Sequence, residues 1–169
     1  LSEDGGTGMK RIILDPSRCT GCRVCEAVCS LVNEGEFNPD KSRIHAVRTF
    51  NNGILRTIPV FCLQCEDPYC RSVCPVSAIS RDDRRAVVVD ENKCIGCKLC
   101  EIACPVGAIT VRSDKGFAVK CNLCEGREEP QCAKYCFSRA LQYMPDERAG
   151  VMKAREKSAK FYELQNREV

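Results

Sequence analysis

The sequence predicts an α+β fold of short hairpins and short helices, arranged as two nested units followed by a C-terminal helical tail. Three observations predict it. Sixteen of the 169 residues are cysteine, and they fall into four quartets, each with C-x2-C at its front and C-x3-C at its back. A short β-rich run precedes each quartet, in RIILDPSRC, RTIPVFC, AVVVDENKC and GFAVKC. An Ala-Ile or Ala-Leu step follows three of them, in CPVSAI, CPVGAI and CFSRAL, so the repeat extends beyond the cysteines.

Residues 1–8 read as a disordered leader or an alternative start, since the first methionine is Met9. The strand RIIL then leads into the first quartet, Cys19, Cys22, Cys25 and Cys29. A short helix should carry each quartet's third and fourth cysteines, four residues apart on one face. Ser30 follows Cys29 where two other quartets have proline, so this helix should gain a turn through CSLVNEG and end at Gly35. RIHAVRTFNNGILRTIPVF reads as a hairpin turning at Asn51-Asn52-Gly53. It feeds the second quartet, Cys62, Cys65, Cys70 and Cys74, whose helix must stop before Pro75. A hairpin pairs 78–81 with 86–90 across DDRR, and the third quartet follows: Cys94, Cys97, Cys100 and Cys104, stopped by Pro105. A further hairpin pairs 109–112 with 117–120 across SDKG. The fourth quartet, Cys121, Cys124, Cys132 and Cys136, has its middle gap stretched into the loop EGREEPQ, with Pro130 starting the helix. Phe137 replaces the proline, so this helix is expected to run on like the first. LQYM, at 141–144, can return to pair with RIIL. The tail is either a solvated helix or a docking arm that uses Val151, Met152, Phe161, Tyr162 and Leu164.

Composition narrows the chemistry. Twenty-six basic and 23 acidic residues, interspersed, give +3 and no nucleic-acid footprint. The N-terminus has no apolar run and no stretch approaches the roughly 20 apolar residues of a membrane span. A reducing cytoplasm, and thiols that ligate metal rather than form disulfides, follow as the expectation. Aromatics are 6% and tryptophan is absent, so the apolar core is thin and bound metal has to contribute folding free energy. Thiolates suit zinc or iron-sulfur clusters. A structural zinc scaffold would wrap separated C-x2-C pairs around one ion. C-x2-C-x2-C instead offers three ligands to one cubane, while the fourth cysteine serves another cluster. Sixteen ligands make four such sets, implying four [4Fe-4S] clusters.

Because fourth cysteines are exchanged, the quartets must pair, and the prolines indicate how. Quartets two and three share the proline and form an inner unit: Cys94, Cys97 and Cys100 with Cys74, and Cys62, Cys65 and Cys70 with Cys104. Quartets one and four form the outer unit: Cys121, Cys124 and Cys132 with Cys29, and Cys19, Cys22 and Cys25 with Cys136. The expected divisions are the leader 1–8, the outer unit 9–52 plus 115–145, the inner unit 53–114 and the tail 146–169.

The CPVxAI segments and the full C-x2-C-x2-C-x3-C-P of quartet three resemble bacterial dicluster ferredoxins. All four quartets in this order, over roughly residues 9 to 145, resemble the four-cluster electron-transfer subunits of DMSO reductase, formate dehydrogenase, hydrogenase and CO dehydrogenase complexes. NEGEFNPDKSRIHAV and the compact length look most like the small iron-sulfur subunits of tungsten aldehyde oxidoreductase and of the related benzoyl-CoA reductase. The resemblance implies a non-catalytic relay of single electrons between two partners. One is a large subunit with a tungsten or molybdenum pterin cofactor; the other is a ferredoxin or a flavin- or NAD-dependent subunit. The alternative is a free-standing soluble polyferredoxin, or an electron-transfer subunit of a hydrogenase, CO dehydrogenase or formate dehydrogenase complex. No catalytic residue is expected. His45, the single histidine, reads as a solvated strand residue, and Gly5-Gly6-Thr7-Gly8 does not follow a strand as a dinucleotide loop would. Arg18, Arg23, Arg71, Lys93, Lys98, Lys120, Lys134 and Arg139 stand beside the cysteines, mostly as surface charge, and Phe61, Tyr69, Tyr135 and Phe137 read as packing residues.

Overall fold

The computed structural model describes residues 9–51, 53–147, 150 and 154. The leader and the docking-arm residues Val151, Met152, Phe161, Tyr162 and Leu164 lie outside the described residues.

Each quartet stands between two strands. β1 (Lys10–Leu14) and β2 (Ile44–Asn51) flank the first, β3 (Ile54–Phe61) and β4 (Ile79–Arg81) the second, β5 (Val87–Val89) and β6 (Ile109–Val111) the third, and β7 (Ala118–Lys120) and β8 (Leu141–Pro145) the fourth. The strand leaving each quartet pairs antiparallel with the strand entering the next, giving β2-β3, β4-β5 and β6-β7. The last strand returns to the first: Arg11 faces Met144 and Leu14 faces Leu141. The four two-stranded ribbons therefore close the chain end upon end. The architecture is mixed α+β and ferredoxin-like.

Local chemistry accounts for the ribbons. Val87–Val89 is a β-branched run, and the turn after β4 closes through Asp82, whose amide donates to Ala86 O (2.9 Å) while its side chain accepts from Ala86 N (2.8 Å). Gly53, at φ +77°, supplies the left-handed residue between β2 and β3. Pro59 faces Ala46 in that ribbon, and Ala46 N donates instead to Glu26 Oε1 at 2.7 Å. That is a non-hydrogen-bonded pair, so the missing proline N–H costs the ladder nothing.

The helices are α1 (Val24–Glu34), α2 (Tyr69–Ser72), α3 (Leu99–Ala103) and α4 (Gln131–Lys134). α1 carries both Cys25 and Cys29 and ends on Gly35, left-handed at φ +77° with its amide on Leu31 O. The other three helices hold only the third cysteine, and Cys74, Cys104 and Cys136 lie just beyond them. The expectation that the fourth helix runs on is corrected, for α4 stops at Lys134 although no proline follows Cys136. The backbone tightens at Tyr135, whose amide reaches both Gln131 O and Ala133 O, and all three quartets then enter a similar turn. The third residue after each fourth cysteine, Ser77, Gly107 and Arg139, is left-handed, at φ +52°, +65° and +55°. The amides of Ala78, Ala108 and Leu141 then donate to the sulfurs of Cys74, Cys104 and Cys136 at 3.3, 3.3 and 3.4 Å.

The core lies in two parts. Ile12, Ile44, Phe61, Leu123 and Leu141 bury with Cys29, Cys121 and Cys132; Ile79, Val87, Ile109 and Ala118 bury with Cys100. Among the described residues no helix is long and apolar enough to cross a membrane.

Candidate metal centres

The four C-x2-C loops share one backbone device. The residue before each second cysteine, Gly21, Gln64, Gly96 and Leu123, is left-handed, at φ +71°, +52°, +66° and +56°. Glycine adopts this without cost, whereas Gln64 and Leu123 are held in it by burial, at 1% and 2% exposure. The amides of Gln64 and Leu123 donate to the preceding sulfurs of Cys62 and Cys121, both at 3.4 Å. Arg43, Ala118 and Gln131 likewise donate backbone N–H groups to Cys29, Cys94 and Cys124, each at 3.4 Å. Amides turned onto sulfur favour a thiolate and tune whatever that thiolate binds.

Three cavities gather the cysteines across quartets. Cys62, Cys65 and Cys70 line one with Cys104, beside Val87, Ile109 and Lys120. Cys94, Cys97 and Cys100 line another with Cys74, beside Val111 and Ala118. Cys121, Cys124 and Cys132 line a third with Cys29, beside Ile12, Ile44 and Phe61. For the remaining four, α1 packs on α4, and Cys25 and Cys136 border the same core. Asp15 N donates to Ala140 O at 2.8 Å and Arg18 Nε to Ser138 O at 3.0 Å, tying the loop of Cys19 to the turn of Cys136. Among the described residues no three His, Cys, Asp or Glu side chains converge on a point that would hold a single metal ion.

Burial sets the thiols' acidity. It pushes Cys25 and Cys121 up to about 12 and Cys100 up to about 11; it drives Cys132 well above the ordinary value and raises Cys70 and Cys124. Burial also pushes Cys136 upward, but the Leu141 amide and the Ser138 hydroxyl outweigh it and the net shift is down. Buried thiols of this kind stay protonated until a metal takes the thiolate, so loading releases protons. Sixteen thiols, twelve of them gathered so that three sulfurs of one quartet meet one of another, fit four [4Fe-4S] clusters.

Several residues that brace the surroundings of the cysteines are not evident from the sequence. Glu26 and Glu101 each follow a third cysteine, and each reaches a strand amide, Ala46 N at 2.7 Å and Val111 N at 3.1 Å. The shared C-E-x-x-C of quartets one and three is the available signal. Lys120 reads in the sequence like the surface cations, but it is 4% exposed. Arg18, Arg23, Arg71, Lys93, Lys98, Lys134 and Arg139 are exposed, as is His45 in β2. Phe61 packs in the core, but Tyr69, Tyr135 and Phe137 do not, at 64%, 55% and 70% exposure.

The chain is also similar to known iron-sulfur proteins. Residues 55–146 match the 4Fe-4S dicluster domain. The chain is 43% identical over 126 residues to the polyferredoxin-like subunit of an aliphatic sulfonate oxidoreductase from Pyrococcus furiosus, covering 74% of this chain and 70% of that one. It is 39% identical over 153 residues to the electron transport protein HydN of Escherichia coli, covering 77% and 85%. It is 36% identical over 148 residues to the B subunit of the anaerobic dimethyl sulfoxide reductase of Escherichia coli, covering 78% and 71%. The chain thus belongs to the 4Fe-4S dicluster family and is a non-catalytic iron-sulfur electron-transfer subunit of the kind that serves oxidoreductase complexes.

Proposed function

We propose that the chain carries four [4Fe-4S] clusters and relays single electrons between a large catalytic subunit and a second redox partner. The first cluster is held by Cys94, Cys97, Cys100 and Cys74, the second by Cys62, Cys65, Cys70 and Cys104, the third by Cys121, Cys124, Cys132 and Cys29, and the fourth by Cys19, Cys22, Cys25 and Cys136. The observation that carries this reading is that three of these sets each line a cavity of their own. The exchange divides the chain into an inner unit, 53–114, nested in an outer one, 9–52 with 115–145.

A bound [4Fe-4S] cluster takes up and gives back one electron, and the protein's part is spacing, shielding and tuning. Neighbouring sets pack into shared core: Cys70 borders the cluster that buries Cys100, and Cys62 and Cys25 border the one that buries Cys121 and Cys132. These contacts support an order of first, second, third and fourth along a wire. Cys97 and Cys22, the exposed cysteines, belong to its two end sets. Ile95, Leu99 and Ile102 are exposed beside Cys97, and Tyr135 and Phe137 beside Cys136. Apolar rims of this kind suit docked partners.

Relatives named as parts of a sulfonate oxidoreductase and a dimethyl sulfoxide reductase support a catalytic partner. A tungsten or molybdenum pterin cofactor on that partner, of the aldehyde oxidoreductase type, rests on the resemblance of the compact quartet spacing. The second partner is a ferredoxin or a flavin- or NAD-dependent subunit, and sixteen reduced thiols fit a cytoplasmic setting. Anaerobic purification from the native cells with metal analysis tests the reading. It predicts a brown protein with about sixteen irons that copurifies with a large tungsten- or molybdenum-containing chain. Zinc in a colourless protein would contradict the clusters, and an iron-loaded lone monomer would make the chain a free polyferredoxin.

A further inference from the structure

We infer that Lys120 is a buried cation shared by the second and third cluster sites, raising the reduction potential of both; the inference rests on the ligand sets proposed above. Lys120 ends β7 and directly precedes Cys121 of the third set, yet its side chain lines the cavity of Cys62, Cys65, Cys70 and Cys104. Its ammonium donates to Val87 O and to Cys121 O, the latter at 2.8 Å.

No carboxylate among the described residues pairs with it. An ammonium buried beside only two carbonyl dipoles is costly, and such charges are kept where a counter-charge arrives. Two thiolate-ligated clusters supply it. In a dry, low-dielectric site a cation favours the more negative, reduced state of each cluster. The exposed cations beside other cysteines act through water and are screened. Gln64 fixes the geometry. It is 1% exposed, donates from Nε2 to Cys121 O at 3.0 Å, and accepts on Oε1 from Val87 N at 2.8 Å. It thereby holds both residues whose carbonyls receive the lysine.

The test is an EPR-monitored redox titration of the iron-loaded protein. Lys120→Met should retain about sixteen irons but lower two of the four midpoints. At the wild-type midpoint the reduced-to-oxidised ratio should fall tenfold, about 59 mV for one electron. Lys120→Arg should restore the potentials, Gln64→Glu should lower the same two, and Lys93→Met, at an exposed lysine, should change none. Unchanged midpoints in fully loaded Lys120→Met, or an equal fall in all four, would overturn the inference. So would loss of iron uptake in both Lys120→Met and Gln64→Glu, since the lysine would then serve folding. A wild-type protein without about sixteen irons would instead overturn the ligand sets beneath it.

Discussion

Gly96 and Gly107 both sit at left-handed φ, +66° and +65°, but in different surroundings. A Cβ on Gly107 meets nothing within 4 Å, whereas one on Gly96 would stand 2.5 Å from Gly116 O, a backbone atom that cannot swing aside. Gly107→Ala should therefore cost about 1 kcal/mol from conformation alone. Gly96→Ala should cost about 3 kcal/mol, because the β6-β7 turn must shift as well. Thermal melting of the loaded variants distinguishes the two, and equal losses would refute the close approach. At this scale the glycines of CTGC and CIGC are readable as turn residues. Gln64 and Leu123, in the same conformation, are not, because burial rather than residue type holds them there. Lys120 is unreadable for a related reason. Its environment depends on Val87 of a strand 33 residues earlier, and only the assembled ribbons bring the two together.

The ribbons are legible in the sequence nearly whole, because turn residues and alternation are local signals. β4-β5 and β6-β7 are each a residue or two shorter than the expected 78–81 with 86–90 and 109–112 with 117–120, and Arg112 N still donates to Phe117 O at 3.1 Å past the last ladder pair. Helix ends are less legible. Proline is a signal for the stops before Pro75 and Pro105, but α4 ends at Lys134 with its cap at Tyr135, which no residue type announces. Elements from distant quartets are clamped by Glu34 at the end of α1. Its side chain, 7% exposed, takes Arg112 at 3.1 Å and Lys115 at 2.7 Å from the β6-β7 turn, with Arg43 at 3.8 Å. Burial alone would raise the Glu34 carboxyl, but the hydrogen bonds and charges of Lys115 and Arg112 outweigh it and hold it low. A lowered folded-state value means that the stabilisation is present above the ordinary carboxylate range and disappears as pH falls through the folded value. Glu34→Gln should cost about 3 kcal/mol near neutrality. The gap in melting temperature between wild type and variant should shrink on acidification; a gap independent of pH would remove the carboxylate from this role.

Over the whole molecule, the pairing of β1 with β8 joins the two ends of the repeat array, and α1 packs on α4 although residues 35–130 lie between them. The cysteine spacing and the RIIL and LQYM segments make that closure legible; the division of the buried cysteines between two core clusters is visible only in the assembled chain. An apolar core this thin, with cysteines among its buried members, ties folding to the metal it holds. The central claim is the exchange of fourth cysteines between quartets one and four, and Cys136→Ser tests it most directly. Its EPR and iron content should be compared with those of Cys22→Ser and Cys124→Ser, all loaded anaerobically. The account predicts that Cys136→Ser loses or alters the same cluster signal as Cys22→Ser and keeps the signal lost in Cys124→Ser; a match to Cys124→Ser instead would contradict it.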